Sequence, residues 1–369
     1  MEKTINNDQL WESSGTLKRY KYNPVLEAIN EHDWESKMVY NCGVIKIKGV
    51  IYLIYRAFGN DHISRFGLAW TEDSVKIQGR LDFPIFDATE DYEYPLKEYY
   101  EKREREKGGC EDPRITIINN RLYMVYTAYS ELCQTAIAFI NVNEFIELVK
   151  KSVNDSGFSK EKLRKKWNNT WKRYGPVFPE NIKNKIFSRN GCVFPVEIEG
   201  NTVGYSLIYR TSKDPVMIAY SKSPVGSWKD DEVFMTPTQY WEMERMGICA
   251  PPIKTTHGLL FFYHGVESVK NNGRIYRMGH LFTNFSLDSS GKIKVKVTKA
   301  EKPDLAPQRI YERESKWLAP CNTFAVFSCG AVPVEEKEAL EENDNILVYY
   351  AGGDTRICVA KARISTLLS

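Results

Sequence analysis

Hydrophobic and polar positions along this chain alternate with a period of two in segment after segment, and the segments themselves recur. Five stretches share one form: a turn, an apolar run rich in Tyr, Val, Ile or Leu that tends to close on Tyr-Arg, Tyr-His or Tyr-Tyr, a short polar loop, and a second apolar run. They begin near Gly49, Asn120, Asn201, His257 and Asp344. The alternation predicts strands rather than helices. Repetition of β-rich units at intervals well above a hairpin's length is the mark of a propeller. Five copies therefore predict an all-β chain, a five-bladed β-propeller built as a single domain over residues 1–369. A β-sandwich of similar hairpins is the competing topology.

Two stretches break the alternation. Residues 94–107 and 143–174 are rich in Lys, Glu and Leu, which favours helix, and they are expected to be helical insertions between blades. The second is strongly basic from Lys160 to Lys166, with Trp167 and Trp171 four residues apart on one helical face. A nucleic-acid helix has this composition, but a helix that packs its tryptophans inward and solvates its lysines is favoured. Exposed insertions of this kind are also candidates for a homo-oligomer contact.

Composition narrows the function classes. The chain has 369 residues, 42% of them hydrophobic, enough for a large core. Its 51 basic and 48 acidic residues leave a net charge of +3, so no overall field calls for nucleic acid. No stretch has the length of a membrane span, and Met1–Asn7 lacks the apolar run of a secretory signal. Eight cysteines without a CxxC pair read as buried thiols, and the expectation is a cytoplasmic protein. The five histidines show no HxH or HExxH spacing, so no protein-held metal is expected.

Chemistry concentrates at Gly108-Gly109-Cys110-Glu111-Asp112-Pro113-Arg114, two carboxylates and a cation at the mouth of a strand. In a propeller the inner ends of the blades converge, so polar residues at one phase of each unit share a pocket. The candidates in that phase are Arg56, Asp112, Arg114, Arg189, Asn190, Arg210, Lys254, His264 and Asp354. A surplus of cations over carboxylates suits an anionic reactant, and Arg with Lys suits phosphate.

The order of motifs NPV (Asn23-Pro24-Val25), DWESKMVYN (Asp33 to Asn41), IYLIYRA, HISRFGLA, CEDPRIT, RNGCVFP, APPIKTTHGLLFFYHGV and LVYYAGGDT resembles glycoside hydrolase family 130, the β-mannoside phosphorylases and their hydrolase relatives. The match runs from about Asn23 to the C-terminus. The resemblance implies a five-bladed propeller, in agreement with the repeat count. It also implies cleavage of a β-mannosidic bond by inorganic phosphate, with inversion to α-mannose 1-phosphate, in a reversible reaction. Carried over by motif, the general acid falls on Asp112, with Glu111 beside it as a sugar contact. Phosphate binding falls on Arg189, Asn190 and Lys254, with Tyr263 and His264 near the phosphate. Asn41, Arg56, Ser64, Arg65, Arg210 and Asp354 occupy substrate-facing positions. In this family the acid is thought to act through the mannose 3-hydroxyl.

Phosphate is already an anion, so one acid suffices where an inverting hydrolase needs an acid and a base. No organic cofactor or metal is implied, and the partners are the β-mannoside, phosphate and mannose 1-phosphate. A hydrolase of the same fold remains the alternative, with Glu242 or Glu244 as base, as do net synthesis or mannosyl transfer and a non-catalytic carbohydrate-binding module. Departures from the family pattern at Asn41-Cys42-Gly43, Tyr209-Arg210 and Ala351-Gly352-Gly353 leave linkage and acceptor open.

Overall fold

A computed structural model describes residues 7–13, 15–102, 107–154, 157–212, 215–271, 273–314 and 323–368. The chain is mostly β-sheet with a few helices. A short strand near the chain start, β1 (Lys18–Arg19), is followed by four antiparallel meanders. The first is β2 (Met38–Ile47), β3 (Val50–Phe58), β4 (Ile63–Thr71) and β5 (Gly79–Arg80); the second is β6 (Gly108–Ile118), β7 (Arg121–Tyr129), β8 (Cys133–Asn141) and β9 (Lys172–Pro176). The third is β10 (Ser188–Ile198), β11 (Asn201–Thr211), β12 (Val216–Ser221) and β13 (Lys229–Met235). The fourth opens in two pieces, β14 (Arg245–Ile248) and β15 (Ile253–Thr255), both paired with β16 (Gly258–Val269), and continues through β17 (Gly273–Leu287) and β18 (Ile293–Lys299). A last group, β19 (Thr323–Pro333), β20 (Asn345–Gly352) and β21 (Arg356–Arg363), is completed by β1, through Lys18↔Lys361 and Arg19↔Ala360. The chain start thus supplies the outer strand of the last sheet.

The first strands of the meanders pack together. A Cβ on Gly43 of β2 would lie 2.7 Å from the Pro113 carbonyl oxygen of β6, and one on Gly330 of β19 would lie 2.7 Å from the Cys42 carbonyl oxygen. Three of these strands carry a β-bulge at the same place, between Tyr40 and Gly43, Glu111 and Arg114, and Arg189 and Cys192. Within each bulge one non-glycine residue is left-handed: Asn41 at φ 44°, Asp112 at φ 53° and Asn190 at φ 55°. Asn and Asp tolerate that region better than other side chains. Bulges re-aim side chains, and here they bring Asn41 and Asp112 into direct contact.

The recurring tyrosine of the sequence has a structural role. Tyr55, Tyr126, Tyr263 and Tyr350 each donate a hydroxyl hydrogen bond to a fully buried glutamate, to Glu35 at 2.8 Å, Glu93 at 2.5 Å, Glu242 at 2.6 Å and Glu312 at 2.9 Å. Each glutamate also accepts from a cation on the outer strand: Arg80 of β5, Arg173 of β9, Lys299 of β18 and Arg19 of β1. The clamp ties the second strand to the outermost one. The third meander departs from the pattern: Tyr209 donates to Asp231 at 3.2 Å and packs on the Phe178 ring, with centroids 4.3 Å apart.

The expected insertions contain helices α1 (Lys97–Lys102), α2 (Val142–Asn154) and α3 (Lys160–Thr170). Residues 103–106 and 155–156 of those stretches lie outside the described ones. Ser159 caps α3 through its hydroxyl. Trp167 and Trp171 are buried against Phe145 and Phe86, while Lys162, Lys165 and Lys166 on α3 stay in solvent or nearly so. The helical expectation runs too far at its end. Lys172–Pro176 is strand β9, because Arg173 must reach Glu93.

Replacing Glu93 by Ala strands the Tyr126 hydroxyl and the Arg173 guanidinium in the interior. Removing one partner of a buried ion pair costs about 3–5 kcal/mol, so Glu93→Ala is expected to lower the urea unfolding midpoint markedly. An unchanged midpoint would show that the clamp contributes nothing.

Candidate active site

Strand alternation decides what enters the site. In β3 and β16 the tyrosine points to the outer clamp and in β11 Tyr209 points to Asp231 and Phe178, so the next residue, Arg56, His264 or Arg210, points to the opposite face. There they meet the bulged residues of the first strands.

Asp112 is the centre of one cluster and is buried. Its Oδ1 accepts from Asn41 Nδ2 at 2.8 Å and from Arg56 Nη1 at 3.1 Å. Arg56 donates on from Nη2 to Glu111 Oε1 at 2.8 Å and from Nε to Ser64 Oγ at 3.0 Å. Its guanidinium lies over the Tyr40 ring. Glu111 bridges outward, its Oε2 3.4 Å from Arg189 Nη2, and that nitrogen also donates to Cys133 Sγ at 2.8 Å. Arg114 lies fully buried and donates to three backbone carbonyls, those of Asp112 itself, Ile248 and Cys249, at 3.0, 2.9 and 2.8 Å. It fixes the left-handed backbone at Asp112 and ties β6 to the chain beyond β14. Burial pushes the Asp112 carboxyl up, but the Arg56 guanidinium, then Arg114, the Asn41 amide and Arg189, outweigh it and hold the group below the ordinary value.

A second cluster adjoins the first through Arg189. Arg210 Nε lies 3.4 Å from Asn190 Oδ1. A Cβ on Gly247 would lie 2.8 Å from His264 Cε1 and 3.2 Å from Asn190 Oδ1, so only glycine lets these two side chains approach across β14. The His264 ring packs on Phe327 and Tyr276. Burial, and then Arg210, Arg114, Arg245 and Arg189, push the imidazole well below its ordinary value, so His264 is neutral at pH 7.

Of the remaining candidates, Lys254, Tyr263 and Arg65 fall outside these clusters. Lys254 does not join them: its Nζ is held by Glu197 at 2.8 Å and Glu338 at 3.0 Å, in a groove with Thr116, Pro195 and Leu259. On β6 that groove is reached four residues past Asp112, and two carboxylates already neutralise the amine. Tyr263 points away to Glu242 in the outer clamp. Arg65 turns to Asp61 and Asp87 rather than to Asp112. Asp354 sits in the β20–β21 turn at φ 52°. The Tyr276 hydroxyl is pushed up by burial first and, against Arg245, by Asp354. Glu242 is committed to Tyr263, Lys299 and the Thr238 and Gln239 amides. Glu244 is committed to Arg245, Arg274 and Ser268.

Arg245 is the residue that sequence reasoning missed. It opens β14, its guanidinium lies over Tyr276, and its Nε is buried with no partner among the described residues. The available signal was an arginine at the start of a short apolar run before His257, two residues ahead of the position opposite His264. Among the described residues no three His, Cys, Asp or Glu side chains gather as a metal site would require, and no helix is long and apolar enough to cross a membrane.

This pairing of a buried aspartate with a cluster of arginines is carried on a sheet framework shared with known carbohydrate-active proteins. Residues 16–369 match the family model described as beta-1,4-mannooligosaccharide phosphorylase, and the chain belongs to that family, glycoside hydrolase family 130. It is 30% identical over 353 residues to the 1,2-beta-oligomannan phosphorylase of Thermoanaerobacter sp. (strain X514), covering 93% of this chain and 96% of the relative. It shares its fold with the beta-1,2-mannobiose phosphorylase of Listeria innocua, at 19% identity and TM-score 0.64, over 95% of this chain and 98% of the other. A structure from work on family members that are glycoside hydrolases targeting beta-1,2 mannosidic linkages in Candida mannan shares the fold too, at 20% identity and TM-score 0.65, over 94% and 93%.

Two outcomes are expected from these contacts. Arg245→Ala weakens binding of inorganic phosphate by about 10-fold or more, the worth of a charge-assisted hydrogen bond, whereas Lys254→Ala changes it by less than about twofold; titration calorimetry measures both. Because His264 is held neutral, the unfolded chain binds the extra proton. Wild type should therefore lose stability relative to His264→Gln as pH falls below 6.5, by up to about 1.4 kcal/mol per pH unit. Parallel urea midpoints at pH 7 and pH 5 would contradict this.

Proposed function

We propose that the protein is an inverting β-mannoside phosphorylase built on a five-bladed β-propeller, the four meanders and the last sheet completed by β1 each forming one blade. Inorganic phosphate attacks the anomeric carbon of a terminal β-mannosyl unit and releases α-mannose 1-phosphate and the shortened sugar, reversibly. The observation that carries the reading is the adjacency of the two clusters, with Arg189 and Glu111 joining them. Asp112 is the acid. Asn41, Arg56, Ser64 and Glu111 form the sugar end, and Arg189, Asn190, Arg210, Arg245 and the neutral His264 receive the phosphate. Preorganised cations aimed at a transferring phosphate act most strongly where water is excluded.

The hydrolase reading needs a carboxylate base opposite the acid. Glu242 and Glu244 are both tied up elsewhere, which favours phosphate as nucleophile. A relative matched over 93% of this chain is a 1,2-beta-oligomannan phosphorylase, and we take the same linkage for this protein. A cytoplasmic location belongs to the same proposal, supported by seven free thiols among the described residues.

The test is reverse phosphorolysis, with purified protein, α-mannose 1-phosphate and a panel of mannosyl and glucosyl acceptors, following phosphate release and product linkage. Acceptor-dependent release with a β-1,2 product is expected, and Asp112→Asn should slow it by about 10²–10⁴-fold, the usual worth of a general acid. Mannose release from β-mannobiose in phosphate-free buffer, with no phosphorolysis, would instead make the protein a hydrolase.

A further inference from the structure

We infer that phosphate arms the acid: a dianion seated at Arg189, Asn190 and His264 makes Asp112 take up a proton from solvent, and only then can Asp112 serve the departing sugar oxygen. The inference rests on the reading of Asp112 as acid and of the arginine-lined cluster as the phosphate site.

The groups facing Asp112 come from each element around it. They are Asn41 of β2, Arg56 of β3, Glu111 and Arg114 of its own strand, Arg189 of β10 and Cys329 of β19. Asn41 and Arg56 both direct N–H donors at Oδ1, an arrangement that needs an acceptor oxygen. The surrounding cations outweigh burial, so without an anion the side chain is a carboxylate. A carboxylate is the wrong form for a general acid.

The phosphate pocket holds the remedy. Arg189 is one of the cations that keep Asp112 ionised, and in the reading above it also receives the phosphate. A dianion there cancels part of that field and adds negative charge in a buried, low-dielectric cluster, which favours the protonated carboxyl. Glu111 keeps its 2.8 Å contact to Arg56 whatever sits on Arg189, whereas Asp112 lies against Asn41, whose Oδ1 has no partner and can accept an O–H, so the proton is assigned to Asp112. Asn41 is ready for the change: its Oδ1 is buried without a partner, and a half-turn of the amide presents that oxygen to the new O–H.

The step then balances. The C1–O glycosidic bond breaks with its electron pair going to the leaving oxygen, which gains one proton for the one that Asp112 gives up, while a phosphate oxygen bonds to C1. Hydrogen phosphate thereby becomes a monoester monoanion, and its remaining P–OH proton returns to solvent, so turnover consumes no net proton. In the absence of phosphate a bound mannoside meets a carboxylate, and water gains no activated bond to attack. The same charges that bind the nucleophile thus suppress hydrolysis.

Sulfate, a dianion that does not titrate near neutrality, is the probe. Its dissociation constant is measured by calorimetry from pH 7 to pH 5 for wild type, Asp112→Asn and His264→Gln. A linked proton tightens binding by up to about tenfold per pH unit. Wild type should tighten at least threefold more over this range than Asp112→Asn, and His264→Gln, which removes the imidazole's own contribution, should retain that excess. Parallel curves for wild type and Asp112→Asn overturn the inference, as does a slope that vanishes only in His264→Gln. If phosphate binds but sulfate does not, the same three proteins are compared with phosphate, whose own ionisation is common to all. A wild type that binds neither anion removes the phosphate site itself.

Discussion

Everything at the centre of this molecule depends on one arginine shared between two buried carboxylates. Arg56 contacts both Glu111 and Asp112, and each of the three is almost wholly removed from water. Buried charges are tolerated only when paired and hydrogen-bonded. That requirement explains the second tier around them: Asn41 on Asp112, Ser64 on Arg56, Arg189 on Glu111. Loss of any one member leaves a buried charge exposed to its neighbours' fields.

Such a cluster needs side chains from different sheets to meet at one point, and a regular strand would not aim them there. The bulges solve this by placing Asn41, Asp112 and Asn190 in the left-handed region. Residues held so cost free energy and persist where the surroundings over-determine them. Arg114 supplies that constraint at Asp112, binding its carbonyl and two others across the centre. The charge that fixes the backbone is also one of those that keep the carboxyl ionised.

The outer clamps do the complementary task. Four buried glutamates hold a tyrosine and an outer-strand cation each, and the tyrosine fixes the phase of its strand. A slip of one residue would exchange Tyr263 for His264 and put a phenol where the neutral imidazole stands. In β3 and β16 the recurring tyrosine and the residue after it are thus one device, the tyrosine held in the outer clamp and Arg56 or His264 turned to the opposite face.

The sequence by itself determined the β-rich repeat, the helical character of the two insertions, the family, and the pairing of Glu111-Asp112 with Arg189-Asn190, because period-two alternation and short motifs are local properties. It also made Arg56, Arg210 and His264 candidates of one phase, since each follows a tyrosine of its second strand. Lys254 and Tyr263 read as phosphate ligands by motif, yet one is neutralised by Glu197 and Glu338 and the other clamps Glu242. Arg245 was invisible because the repeats are legible in the second and third strands, whereas it opens a first strand of four residues. Which side of a strand faces the centre, and which carboxylate each cation pairs with, are decided by contacts between residues far apart in sequence, such as Arg19 with Glu312, 293 positions away. Only the tertiary structure could settle those, because an ionic group's availability depends on what lies beside it in space.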